Sequence, residues 1–331
     1  MTDPAEVPAS SPAPAPSASR RARIASTAVG VVLALLAVAF VGRALVRDRA
    51  EIGDALDGAS TGWLAVALVL AAMGMVAIAV PWRRAIRMLG DDMPMAQVVP
   101  RYFLGEIGKY LPGGVWPILG RGELARRWGV RRAAAYGSVL LSLFALYLAA
   151  MFVAVAGLPS LLTGGDGTGP IAVLALLPLG LVVLHPRVLR LGVGVVERLA
   201  RRQLDLPIPP WRASVALVAR YVPAWLAIGA ATWAVARSLD PTVGVLEIGA
   251  AATLSWLVGF VLVPVPGGVG VREAAFVAAA GSLDPGIAAA VAVAARVIFV
   301  VVDAGGAVIG SALIRATAVR SGQADRSEEA L

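Results

Sequence analysis

The chain has 331 residues, 59% of them hydrophobic, with 36 glycines and a mean hydropathy of +0.80. Soluble domains are nearer half apolar, so this is an integral membrane protein with several spans. Cysteine is absent, which excludes disulfides, thiolate metal sites and Cys nucleophiles, and the single histidine, His185, is too few for a His-based metal centre. The net charge of +8 comes from Arg clusters at the ends of apolar runs, a mark of membrane topology rather than of nucleic-acid binding.

Residues 1–23 are rich in Pro, Ala and Ser and close with Arg20, Arg21 and Arg23, which predicts a disordered cytoplasmic tail. Ile24 to Val46 then reads as a first span, too long for a signal-peptide core. Arg47 to Ser60 mixes acids and Arg and is expected outside. Trp63 to Val80 is the second span, ending inside at Trp82-Arg83-Arg84 and Arg87.

Gln97 to Trp128 holds an unusual stretch, Gly108-Lys109-Tyr110-Leu111-Pro112-Gly113-Gly114-Val115-Trp116-Pro117, followed by Arg121 and Glu123. Pro removes a backbone donor and Gly frees φ, so no helix runs through Pro112-Gly113-Gly114. Each limb is about a dozen residues, roughly 18 Å, too short for a hydrocarbon core of about 30 Å. With Arg clusters on both sides, the segment is predicted to enter and leave on one face as a re-entrant helical hairpin.

Ala133 to Gly157 is the third span, 159–170 an external loop, and Ile171 to Leu184 the return. Arg187, Arg190, Arg198, Arg201 and Arg202 mark a cytoplasmic linker, with a short amphipathic helix from Val188 to Arg201 expected on the membrane surface. Trp211 to Val235 leads outward. Trp63, Trp82, Trp211 and Trp225 are read as interfacial anchors, and His185-Pro186 as a helix end.

Leu246 to Gly281 repeats the broken motif 154 residues later as Pro264-Val265-Pro266-Gly267-Gly268-Val269-Gly270-Val271-Arg272-Glu273. The final run, Gly286 to Ile314, stops at Arg315 and leaves residues 316–331 as a cytoplasmic tail. Counting sides, this second hairpin must open outward. The expected fold is therefore all-α and polytopic. It has about six full spans plus two re-entrant hairpins within a transmembrane domain over 24–315. Its halves, about 63–157 and 211–314, form an inverted-topology repeat of the kind transporters use around a midplane site.

A charge in the membrane centre costs about 2.5–3.5 kcal/mol on insertion scales. Glu106, Lys109, Arg121, Glu123, Arg272, Glu273, Arg296 and Asp303 must therefore pair or face a polar cavity, with Trp116 against the first break as a lining candidate. Glu106 and Lys109 share a helix face, and Arg296 and Asp303 lie two turns apart on the last span. Free N–H groups after each break, with Lys109, Arg121, Arg272 and Arg296, could hold a lipid phosphate. The alternative is that Lys109 and Arg121 snorkel to headgroups while Arg272–Glu273 and Arg296–Asp303 are structural pairs.

These motifs resemble the lysylphosphatidylglycerol synthase transmembrane-region family. It is also called flippase-like and includes the flippase half of the multiple peptide resistance factor. The resemblance rests on Gly108 to Pro117 with Gly120-Arg121, on Pro264 to Ala274, and on Ala295-Arg296-Val297, and covers roughly residues 25–315. Many relatives carry an acid in the span after the first hairpin, whereas Ala133 to Gly157 has none, so no role passes over from it. About 15 residues follow the last span, so the aminoacyl-transferring domain of the full-length factor is expected to be absent. The resemblance thus implies translocation of an anionic phospholipid, glycolipid or polyprenyl-phosphate-linked lipid, without catalysis and without cofactor. An intramembrane lipid-phosphate enzyme, and a non-transporting partner of a glycosyltransferase or other lipid-modifying enzyme, are the alternative classes.

Overall fold

The computed structural model describes residues 59–111, 114–156, 177–261 and 270–328. The expected first span, the external loop at 159–170, and the break residues Pro112, Gly113, Pro266, Gly267 and Gly268 lie outside the described residues. All the regular structure described is helical. Four helices are long and apolar enough to cross a membrane: α1 (Thr61–Met88), α4 (Arg132–Ala156), α7 (Trp211–Leu239) and α10 (Pro285–Glu328). A fifth crossing is available if α5 (Leu177–Val183) and α6 (Pro186–Ala200), bent by 63°, form one span. The described residues thus give four or five of the six expected crossings, the first of which lies outside them.

Both broken segments fold back on themselves. In the first, α2 (Met95–Glu106) runs into a 3-10 turn, Ile107–Tyr110, and α3 (Trp116–Trp128) returns. Gly114 sits at φ +63°, the left-handed region where glycine carries no Cβ penalty. The limbs touch so closely that a Cβ on Gly105 would lie 2.8 Å from Arg121 N, and one on Gly108 2.8 Å from Trp116 C. At the base, Arg131 Nε lies 3.0 Å from Asp91 Oδ2 and joins the two ends.

In the second, α8 (Val245–Val261) and α9 (Val271–Ala279) are joined at the base, where Ser282 N donates to Glu247 Oε1 at 2.9 Å. Near the other end Gly259 lies under the Arg272 side chain, which occupies the space a Cβ would need.

The long helices hold these hairpins crosswise. α10 packs on α2, with Phe103 filling the space beside Gly306 and a Cβ on Gly310 reaching 2.8 Å from Pro100 O. α8 packs on α4, where Tyr147 stacks on Phe260 with ring centroids 3.8 Å apart. Small residues at i and i+4 permit such close approach, the usual route to helix association in lipid. The centre is α1 against α7, with Gly74 facing Ala224 and Ile228.

Two of the expected interfacial tryptophans are core residues. Trp82 and Trp225 are 0% and 1% exposed. Trp82 Nε1 donates to Ser138 Oγ at 3.1 Å and Trp225 Nε1 to Leu146 O at 2.7 Å, so each indole N–H is satisfied inside the protein. Trp211 is 47% exposed, with its ring 6.2 Å from that of His185.

Candidate functional site

The two hairpins carry two groups of charges into the interior. On the first, Glu106 ends α2 and Lys109 follows one turn later, with Nζ 3.6 Å from Glu106 Oε1. Lys109 Nζ also reaches Asp303 Oδ2 of α10 at 2.7 Å, and Tyr110 OH donates to that same oxygen at 2.6 Å. Arg121 of α3 is 1% exposed, its Nε 3.9 Å from Glu106 Oε2 and its guanidinium 5.3 Å from the Tyr102 ring centroid. Two carboxylates and two cations make this group formally neutral. It is not saturated: Glu106 Oε2, Asp303 Oδ1 and Arg121 Nη2 are buried without a hydrogen-bond partner among the described residues.

The second group is built around Glu273. One carboxylate oxygen accepts from Gly270 N at 2.7 Å, which fixes the start of α9, and the other accepts from Arg296 Nη1 of α10 at 2.5 Å. Arg272 therefore lacks its neighbour as a partner. No carboxylate among the described residues pairs with it, and its guanidinium instead lies 3.7 Å from the centroid of Trp256 on α8. Two cations and one carboxylate leave this group with one positive charge in excess. A small cavity of about 20 Å³ opens here, with Thr232, Ser255, Arg272, Glu273 and Arg296 among its lining residues beside apolar ones such as Trp256 and Phe299.

The two groups meet at Trp256. Lys109 Nζ is 5.7 Å from its ring centroid, so one indole faces cations of both hairpins. Trp225 and Phe299 hold it edge-on at 6.0 and 5.4 Å.

Several expectations need revision. Arg272–Glu273 and Arg296–Asp303 are not the pairs: Glu273 takes Arg296, and Asp303 takes Lys109 and Tyr110. α10 winds so that Arg296 faces the second hairpin and Asp303, two turns on, faces the first. Lys109 and Arg121 do not reach toward headgroups, being held at Asp303 and Glu106. Glu123 lies apart, clasped by Arg126 at 2.7 Å and Arg127 at 2.9 Å on the exposed end of α3. Trp116 packs with Tyr110, Leu111 and Val300 at the end of the first hairpin.

Sequence reasoning passed over Tyr102, Gly105, Trp256 and Gly259, although a signal was there. Tyr102-x-x-Gly105 precedes Pro112 by the same spacing as Trp256-x-x-Gly259 precedes Pro266, with 154 residues between equivalent positions. In both hairpins the returning Arg crosses the glycine and faces the aromatic ring three residues before it. The glycine is required because its missing side chain is the space the Arg stem fills.

The fold and its site define a multi-pass α-helical membrane protein with two broken hairpins that carry charge into its interior. The family model described as "Lysylphosphatidylglycerol synthase TM region" matches residues 27–310, and the chain belongs to this family. No curated protein matches the chain at significant similarity. Family membership points to a flippase-like role with membrane lipids.

Proposed function

We propose that the protein translocates a lipid with an anionic headgroup, and that it does so without catalysis. The observation that carries this reading is the excess positive charge at Arg272. Arg272 is partly buried with no carboxylate paired to it among the described residues, and a ligand phosphate would supply the missing anion through the guanidinium fork. Family membership supports the lipid as that ligand.

The cavity beside Arg272 is about 20 Å³, room for about one water, so a headgroup requires the hairpins to part. Trp256, in contact with cations of both hairpins, couples such a movement to the Lys109–Asp303 group. In this reading the halves form an inverted repeat, the hairpins re-enter from opposite faces of the cell membrane, and both termini are cytoplasmic. The matched aromatic-Gly-Arg packing and the crosswise seating of the hairpins on α10 and α4 support that arrangement.

Reconstitution into liposomes with headgroup-labelled phosphatidylglycerol tests the reading. Labelled lipid should cross the bilayer intact. Headgroup cleavage would identify an enzyme. Neither movement nor cleavage, across anionic phospholipids and polyprenyl phosphates, would indicate a non-transporting partner.

A further inference from the structure

A second site lies away from the charged interior. α6 does not pack tightly on the bundle: none of its residues is buried, and with α4 and the 201–209 loop it encloses a cavity of about 860 Å³. The wall is apolar, with Leu140 and Phe144 from α4 and Val193 and Val196 from α6. At Gly192 a Cβ would meet nothing within 4 Å.

The charged side chains lining the cavity are Arg132 and Arg202, both exposed. The nearby carboxylate of α6 is engaged elsewhere, since Glu197 Oε1 accepts from Leu204 N at 2.9 Å. Arg187, Arg190, Arg198 and Arg201 stand on the same helix or just past it. A second apolar stripe on α6 (Leu191, Val195, Leu199) is exposed at 51–81%, the arrangement of a helix lying at a membrane surface.

We propose that this groove is a docking site for an anionic phospholipid of the leaflet on the Arg-rich side. An acyl chain would lie between α4 and α6, with the phosphate at Arg132 and Arg202. An apolar groove with cationic groups and no lining carboxylate suits an anionic amphiphile over a zwitterionic one or a water-soluble ligand.

The groove also abuts the first hairpin. Tyr136 lines it, and the same ring packs on Gly122, next to Arg121, so closely that a Cβ there would lie 2.6 Å from Tyr136 Cε1. The Tyr136 side chain thus stands between the groove and α3.

The test is photolabelling of the full chain in liposomes, which reads binding and does not depend on transport. Two probes carry the same acyl-chain diazirine, one on phosphatidylglycerol and one on phosphatidylcholine. Phosphatidylglycerol should label Leu140 to Phe144 and Val193 to Val196 at least about fivefold more than phosphatidylcholine, the ratio expected of one interfacial Arg. Arg132→Gln with Arg202→Gln should equalise the two lipids, and both residues are exposed, so folding is unaffected. Gly192→Trp should remove labelling from either lipid by filling the groove. Equal labelling by both lipids in the unmodified protein would overturn the proposal. So would crosslinking of the groove to the chain's own Ile24–Val46 segment in place of lipid.

Discussion

Arg272 places its guanidinium 3.7 Å from the ring centroid of Trp256, with no described carboxylate paired to it. A partly buried cation over an indole gains about 1–2 kcal/mol. Trp256 also packs edge-on against Trp225 and Phe299. Trp256→Ala should therefore destabilise by about 3 kcal/mol or more, and Trp256→Phe by much less, because Phe keeps an aromatic face. Thermal unfolding in detergent measures both. Equal losses would remove the cation–ring contact from the account.

The Lys109–Asp303 pair should behave as a buried ion pair. Removing one partner leaves an unpaired charge and costs about 3–5 kcal/mol, whereas removing both costs little. Lys109→Met should thus melt early, and Lys109→Met with Asp303→Leu should recover most of the loss. A double variant no more stable than the single would show that Asp303 is held by Tyr110 and the rest of its surroundings instead.

Gly105→Ala tests the packing of the first hairpin. The added Cβ meets the Arg121 backbone at 2.8 Å, and backbone gives way less readily than a side chain. A loss of about 1–3 kcal/mol is expected, the usual range for overpacking. At Gly129 nothing lies within 4 Å, but its φ of +117° makes it a poor control, so Gly192→Ala, in open space on a helix, is the comparison. That change should be neutral or slightly stabilising.

Asp92 offers a pH test outside the membrane. A hydrogen bond from Arg83, at 3.0 Å, holds its carboxyl below the usual aspartate value near 3.8. Because the folded pKa is depressed, its contribution is complete above the unfolded pKa and is lost as pH falls through the folded one. The melting difference between the unmodified protein and Asp92→Asn should be constant near neutrality and close below about pH 4. A difference that persists unchanged in acid would contradict this.

Much of the architecture was legible because prolines, glycines and Arg clusters act locally. The break at Gly114, the two folded-back hairpins, the amphipathic α6 and the helix start at His185 all follow from residues near in sequence. Partners across helices were not legible. Glu273 chose Arg296, 23 residues away, over its neighbour, because successive helical residues point in different directions. Trp82 looked interfacial beside Arg83, yet its ring faces Ser138 across the bundle. Hydropathy reports that a segment lies in the membrane, but not which of its faces meets protein.

If Arg272 binds an anionic headgroup, Arg272→Lys should separate its charge from its geometry. Lysine keeps the charge and loses the bidentate fork. In the liposome assay, phosphatidylglycerol translocation should fall about tenfold or more, the value of one charge-assisted hydrogen bond, while the melting temperature moves by no more than about 2 °C. Translocation at the unmodified rate in Arg272→Lys would contradict headgroup binding by Arg272. So would equal melting of Arg272→Ala and Glu273→Ala with recovery of stability and transport in the double variant.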